Sequence, residues 1–107
     1  MSGYKHLKAA DFAWAKSETG LETVRFEGDG VIMSVVKGKK GDIGKEHSHS
    51  EGSYMYVVQG KIEVDNQILE VGDAGYCHNG GQYGCRFLED STFVVCRSSS
   101  DEITTKD

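Results

Sequence analysis

His47-Ser48-His49 is the triplet best suited to chemistry. In an extended strand, side chains two apart project to one face, so both imidazoles enter the same space and can grip one metal ion. Two histidines on a solvent-facing strand look the same in sequence, so the spacing alone leaves both readings open. Glu51 lies two residues further on, and strand parity keeps its carboxylate on the same face unless a bulge intervenes. His78 either caps its turn or reaches a pocket. Tyr83 can pack in the core with its hydroxyl bonded, or face a pocket as a proton carrier. As a metal ligand it must be a phenolate, which needs a metal to lower its pKa of about 10. Cys85 follows Tyr83 at strand spacing and shares its face, more readily as a buried thiol than as a reactive one. His6 lies outside every motif.

Strands must aim these groups. From Leu21 onward the sequence consists of short alternating or apolar runs rich in Val, Ile, Tyr and Phe, bounded by Gly, Asp and Asn. Strands are expected at 22–26, 31–36, 46–49, 54–58, 61–64, 67–69, 74–77, 83–87 and 92–97. Between them lie Gly28-Asp29-Gly30, Asp65-Asn66, Gly72-Asp73 and Asn79-Gly80-Gly81, turn sequences of the kind that need a positive φ. Many short strands with glycine turns predict an antiparallel sandwich or barrel. The one helix signal, within 4–16, is too brief to organise a helical fold. Tyr54 and Tyr56 have opposite parity to Met55, so one set faces the interior and the other a sheet surface. The tail, 98–107, is polar apart from Ile103 and is expected to be disordered or loosely docked.

Composition excludes several classes of function. The 107 residues, with 14 glycines and no proline, suit one domain: an amino-terminal segment at 1–20, a barrel at 21–97 and the tail at 98–107. No run approaches the ~20 apolar residues of a membrane span, and no apolar signal stretch opens the chain, so a soluble cytoplasmic protein without a membrane partner is expected. Three cysteines, Cys77, Cys85 and Cys96, without C-x-x-C spacing indicate neither a disulfide framework nor a zinc ribbon. Seventeen acidic against twelve basic residues, net −5, argue against a nucleic-acid partner. Lys37, Lys39 and Lys40 read as a solvated hairpin tip.

The order of the motifs resembles the cupin superfamily. Gly41, five intervening residues, His47-x-His49 and then Gly60 match its first motif, and Tyr56-Val57-Val58-Gln59-Gly60 is similar to its strand and turn. The stretch from Gly72-Asp73 through His78-Asn79-Gly80 to Tyr83 resembles its second motif, 11 residues downstream. The resemblance implies an all-β, single-domain jelly-roll barrel with a short helical or extended amino-terminal segment. It also implies a divalent transition metal (Fe, Zn, Ni or Mn) held by His47, His49 and other groups in the barrel mouth. The family's glutamate position falls on Ser53 and its last histidine on Tyr83, while His78 stands where the family has proline. Glu51, His78 and Tyr83 are the candidates to complete the site. A homodimer is likewise implied, with Trp14 packed on the barrel or on a second subunit.

Two functions follow from the resemblance. The first is a small metal-dependent enzyme acting on a small organic molecule by isomerase, lyase or dioxygenase chemistry, with His47, His49 and Tyr83 on the metal and His78, Tyr83 or Glu51 moving the proton. The second is a non-catalytic ligand-binding or sensing cupin whose metal site is degenerate. An acid–base enzyme that uses the histidines without metal lies between them.

Overall fold

The hairpin turns form at the sequences whose chemistry demands them. Asp29 (φ 53°) and Gly30 (φ 82°) join β2 (Glu22–Gly28) to β3 (Val31–Gly38). Asp65 (φ 50°) and Asn66 (φ 61°) join β6 (Lys61–Val64) to β7 (Gln67–Glu70). Two consecutive positive φ values give the type I′ twist that matches paired strands. The computed structural model describes residues 3–105. Its remaining strands are β1 (Ala15–Lys16), β4 (Ile43–His49), β5 (Ser53–Gln59), β8 (Ala74–Cys77), β9 (Gln82–Phe87), β10 (Ser91–Ser98) and β11 (Ile103–Thr105). The amino-terminal helix signal yields a single 3₁₀ turn at Ala9–Asp11.

Two antiparallel sheets face each other as a jelly roll, one ordered β1-β2-β3-β10-β5-β8 and the other β11-β4-β9-β6-β7. Alternation supplies the core. Ser53, Met55 and Val57 of β5 point in, whereas Tyr54, Tyr56 and Val58 point out. Phe93 and Val95 of β10 meet Ile62 of β6 and Cys85 and Phe87 of β9 between the layers. Burial of these side chains stabilises by ~1.5–3 kcal/mol each. Among the described residues no helix is long and apolar enough to cross a membrane.

One irregularity aims the histidines. Gly44 pairs with Cys85 but His47 pairs with Tyr83, so β4 carries an extra residue against β9. This bulge reverses parity, so Gly44, His47 and His49 all face inward. Gly44 is required there, because a Cβ would lie 2.7 Å from Cys85 Sγ and 2.9 Å from Leu21 Cδ1.

One expectation is corrected. The tail is neither disordered nor loosely docked through residue 105: β11 pairs with β4 and Asp101 is buried. Backbone hydrogen bonds and one buried carboxylate hold it, and hydrophobic patterning detects neither. Lys37, Lys39 and Lys40 are exposed, and the Lys37 ammonium stands 4.0 Å from the Trp14 ring centroid, which packs that tryptophan on the barrel.

Candidate active site

His47 and His49 enter the barrel with relative exposures of 8% and 1%. His47 Nδ1 lies 2.8 Å from the Lys45 carbonyl, which can only accept, so Nδ1 carries the proton and Nε2 keeps its lone pair. Burial pulls the His47 pKa below its ordinary value, and the neighbouring His49 adds to that pull against the opposing Lys45 bond. His49 Nδ1 lies 2.7 Å from Asp101 Oδ2 and donates to it, leaving Nε2 3.4 Å from the Tyr83 hydroxyl.

Asp101 is the centre of this network. Its Oδ2 also accepts from Arg97 Nη1 at 3.0 Å and its Oδ1 accepts from the Glu51 amide at 2.7 Å, while Arg97 Nη1 also donates to its carbonyl at 2.9 Å. Burial pushes the carboxyl upward, but the hydrogen bonds from His49, Glu51 and Arg97 outweigh it and leave Asp101 below the ordinary carboxylate range. It is an anion with both carboxylate oxygens hydrogen-bonded.

The Tyr83 ring stacks on His49, with centroids 5.8 Å apart and planes 12° apart, and lies 4.5 Å from His47. Burial drives its pKa well up, with Cys77 and Cys85 adding to the effect and a hydrogen bond from Ser53 opposing it. Cys85 is pushed up to about 11, chiefly by burial. Both groups therefore stay protonated. They line a cavity of about 370 Å³ together with His47, His49, Arg97 and the apolar Leu21, Val36, Phe93 and Val95. Ala13 and the run from Ala15 to Thr19 also line it. Tyr83 also lines a second cavity, of about 540 Å³, with Ser53, Met55, Cys77 and His78.

The structure thus brings together His47, His49 and Tyr83, with Cys85 beside them. Glu51 is directed elsewhere: its carboxylate accepts from the Ser100 hydroxyl and only its amide reaches the network. His78 is exposed, sits 4.9 Å edge-on to Tyr76, and meets the site only across the second cavity. Arg97 and Asp101 were not foreseen. The one available signal was parity, since Arg97 follows Phe93 and Val95 on the inward face of β10.

The donor set does not fit a firmly held metal ion. Catalytic zinc keeps three protein ligands. Here two histidine nitrogens face a serine, a tyrosine and a cysteine, with the Arg97 guanidinium nearby. Among the described residues no three His, Cys, Asp or Glu side chains are grouped to hold a metal.

The family model of the ChrR Cupin-like domain matches residues 3–100. Among solved structures, the chain is similar to an acetylacetone dioxygenase from Acinetobacter johnsonii, with a TM-score of 0.79 and 12% identity over 100% of this chain and 79% of that one. It is similar to KdgF from a Halomonas species, with a TM-score of 0.77 and 25% identity over 89% of this chain and 93% of that one. It also matches a chain of the Rhodobacter sphaeroides complex of SigE with the anti-sigma ChrR, with a TM-score of 0.73 and 15% identity over 83% of this chain and 51% of that one. No curated protein matches it.

Proposed function

The chain belongs to the ChrR cupin-like domain family, and on that premise we propose that it is a proton-transfer enzyme of isomerase or lyase type, acting on a small carbonyl compound in the His47–His49–Tyr83 cavity. The neighbours' names span a dioxygenase and an anti-sigma complex, so the fold does not choose the chemistry. The site's own groups support the choice.

The observation that carries the reading is the buried Asp101–His49–Tyr83 chain. Asp101 fixes the His49 tautomer and neutralises the imidazolium formed when Nε2 takes a proton, the role of the carboxylate in a catalytic triad. A substrate carbonyl against the Tyr83 hydroxyl places its α-carbon beside the imidazoles. Abstraction moves the α-proton to Nε2 and the bonding electrons to the carbonyl oxygen, which the Tyr83 O–H stabilises as an enolate. Return of the proton to a different atom gives an isomer, and departure of a β-substituent completes an elimination. His47, neutral and with its own Nε2 lone pair, is the alternative acceptor.

The test is α-hydrogen exchange in D₂O, followed by NMR over a panel of small ketones and hydroxyketones, with protein stripped by chelation. Exchange by stripped protein, reduced about 10²–10⁴-fold in His49→Gln and Asp101→Asn, is the expected result. Exchange that appears only after a metal is added back would overturn the metal-free reading.

A second reading draws on the pinned imidazoles, because metal-bound histidines also donate their other ring N–H to a carbonyl or carboxylate. In that reading the chain binds Fe, Zn, Ni or Mn weakly, as an enzyme or as a sensor. Melting temperatures that rise with one of these salts in the native protein but not in His47→Ala would favour it.

A further inference from the structure

The Arg97 guanidinium is buried with donors to spare. Both of its hydrogen bonds leave from Nη1, to the carbonyl of Asp101 at 2.9 Å and to its Oδ2 at 3.0 Å. Nε and Nη2 take no partner among the described residues, where every fully buried side-chain nitrogen or oxygen has one, so these two atoms open onto accessible surface. Arg97 is only 7% exposed and lines the cavity of about 370 Å³, so that surface is the cavity. Asp101 balances its charge from the Nη1 edge and does not line the cavity. Ser34 repeats the pattern: its side chain is 9% exposed, takes no partner among the described residues and lines the same space.

Register brings these groups together. Ser34 of β3 pairs with Val95 of β10 on one side and with Arg25 of β2 on the other. Arg97, two residues beyond Val95, is therefore the diagonal neighbour of Ser34, a separation that long side chains reach across. Arg25 and Lys16 line the cavity from exposed positions. Against these three cations the described lining holds one carboxylate, Glu18, which lies 3.8 Å from Arg25. In a chain of net charge −5 the cavity thus reverses the prevailing sign and draws anions.

We infer that the cavity binds a small carboxylate, with Arg97 Nε and Nη2 donating to its two oxygens and Ser34 donating to one of them, and that Arg97 thereby selects oxo acids over neutral ketones. The two N–H groups of that guanidinium edge lie parallel and match a planar carboxylate bidentately. A phosphate would bring further acceptors and a second charge that no other buried free donor meets. Arg97 and His49 share one oxygen of Asp101, so a single small molecule spans from the guanidinium to the imidazoles and Tyr83. The inference rests on the proton-transfer reading for the substrate's carbonyl, but carboxylate capture itself stands without it.

Titration calorimetry of the native protein with 2-oxobutyrate, its neutral amide 2-oxobutyramide and inorganic phosphate tests this. The acid is expected to bind about ten-fold or more tightly than the amide, as for hydrogen bonds to a charged group, and more tightly than phosphate. Arg97→Lys, which keeps the charge and loses the fork, should erase most of that preference. Ser34→Ala and Arg25→Gln, which remove no buried partner, should each weaken the acid several-fold and leave the amide unchanged, whether or not the Arg97 variant folds. Equal binding of acid and amide by the native protein, a preference that survives in a folded Arg97→Lys, or phosphate binding as tightly as the acid would overturn the inference. Preferential binding of the acid without exchange of its α-hydrogens in D₂O would uphold it and overturn the proton-transfer reading instead.

Discussion

Asp101 satisfies three donors inside the barrel, so its loss is felt in each of them. Asp101→Ala leaves the Arg97 guanidinium, the His49 Nδ1–H and the Glu51 amide facing a hole. Removing one partner of a buried pair costs ~3–5 kcal/mol, and at ~4–8 °C per kcal/mol for a domain of this size the melting temperature should drop by well over ten degrees (roughly, by the same scaling). A loss of only a few degrees would show that the network is not held as described. His47 gives a pH signature. Its folded pKa lies below the ordinary value, so on acidification the unfolded chain binds a proton that the folded chain resists, and stability falls as pH drops through 6.5. His47→Gln should therefore lose less melting temperature than the native protein between neutral and mildly acidic pH. Parallel losses would contradict that assignment. At this scale, His47, His49 and Tyr83 were legible because strand parity and motif order both point at them. Asp101 was not, because a carboxylate in a run of serines carries no periodicity, and its burial depends on Arg97 and His49 arriving from two other strands.

At the scale of elements, the β4 bulge decides whether the histidines face the cavity. Gly44 sits just before it against Cys85 and Leu21. Gly44→Ala forces a methyl into both neighbours, an overpacking that costs ~1–3 kcal/mol. Trimming the neighbour in Gly44→Ala/Leu21→Val should recover part of that loss in thermal unfolding, and an unshifted melting temperature in the single variant would show that β4 can move away from β9. Nine of the eleven strands among the described residues were legible from alternation and turn chemistry. The two that were missed, β1 and β11, are short edge strands: Ala15 and Lys16 are exposed, and β11 has Ile103 as its only large apolar residue. Edges of this kind are held by backbone pairing, which leaves no hydrophobic period to read.

For the whole molecule, the two sheets enclose one site. The layer between them holds His47, His49, Tyr83, Arg97 and Asp101. The family match ends at residue 100, so the carboxylate that fixes His49 and the strand that carries it onto β4 lie just beyond that stretch. The fold is shared with proteins of differing names, and in this chain the tail's Asp101 is hydrogen-bonded to His49 inside the barrel. The central claim is that His47 and His49 present unprotonated Nε2 atoms as bases, each fixed by its Nδ1–H. Long-range ¹H–¹⁵N NMR of the two imidazoles at pH 8, in chelated protein titrated with zinc, tests it most directly. The account predicts the Nδ1–H tautomer for both rings, loss of the His49 pattern in Asp101→Asn, and no change on adding one equivalent of zinc. Nε2 resonances that shift stoichiometrically with zinc would contradict it.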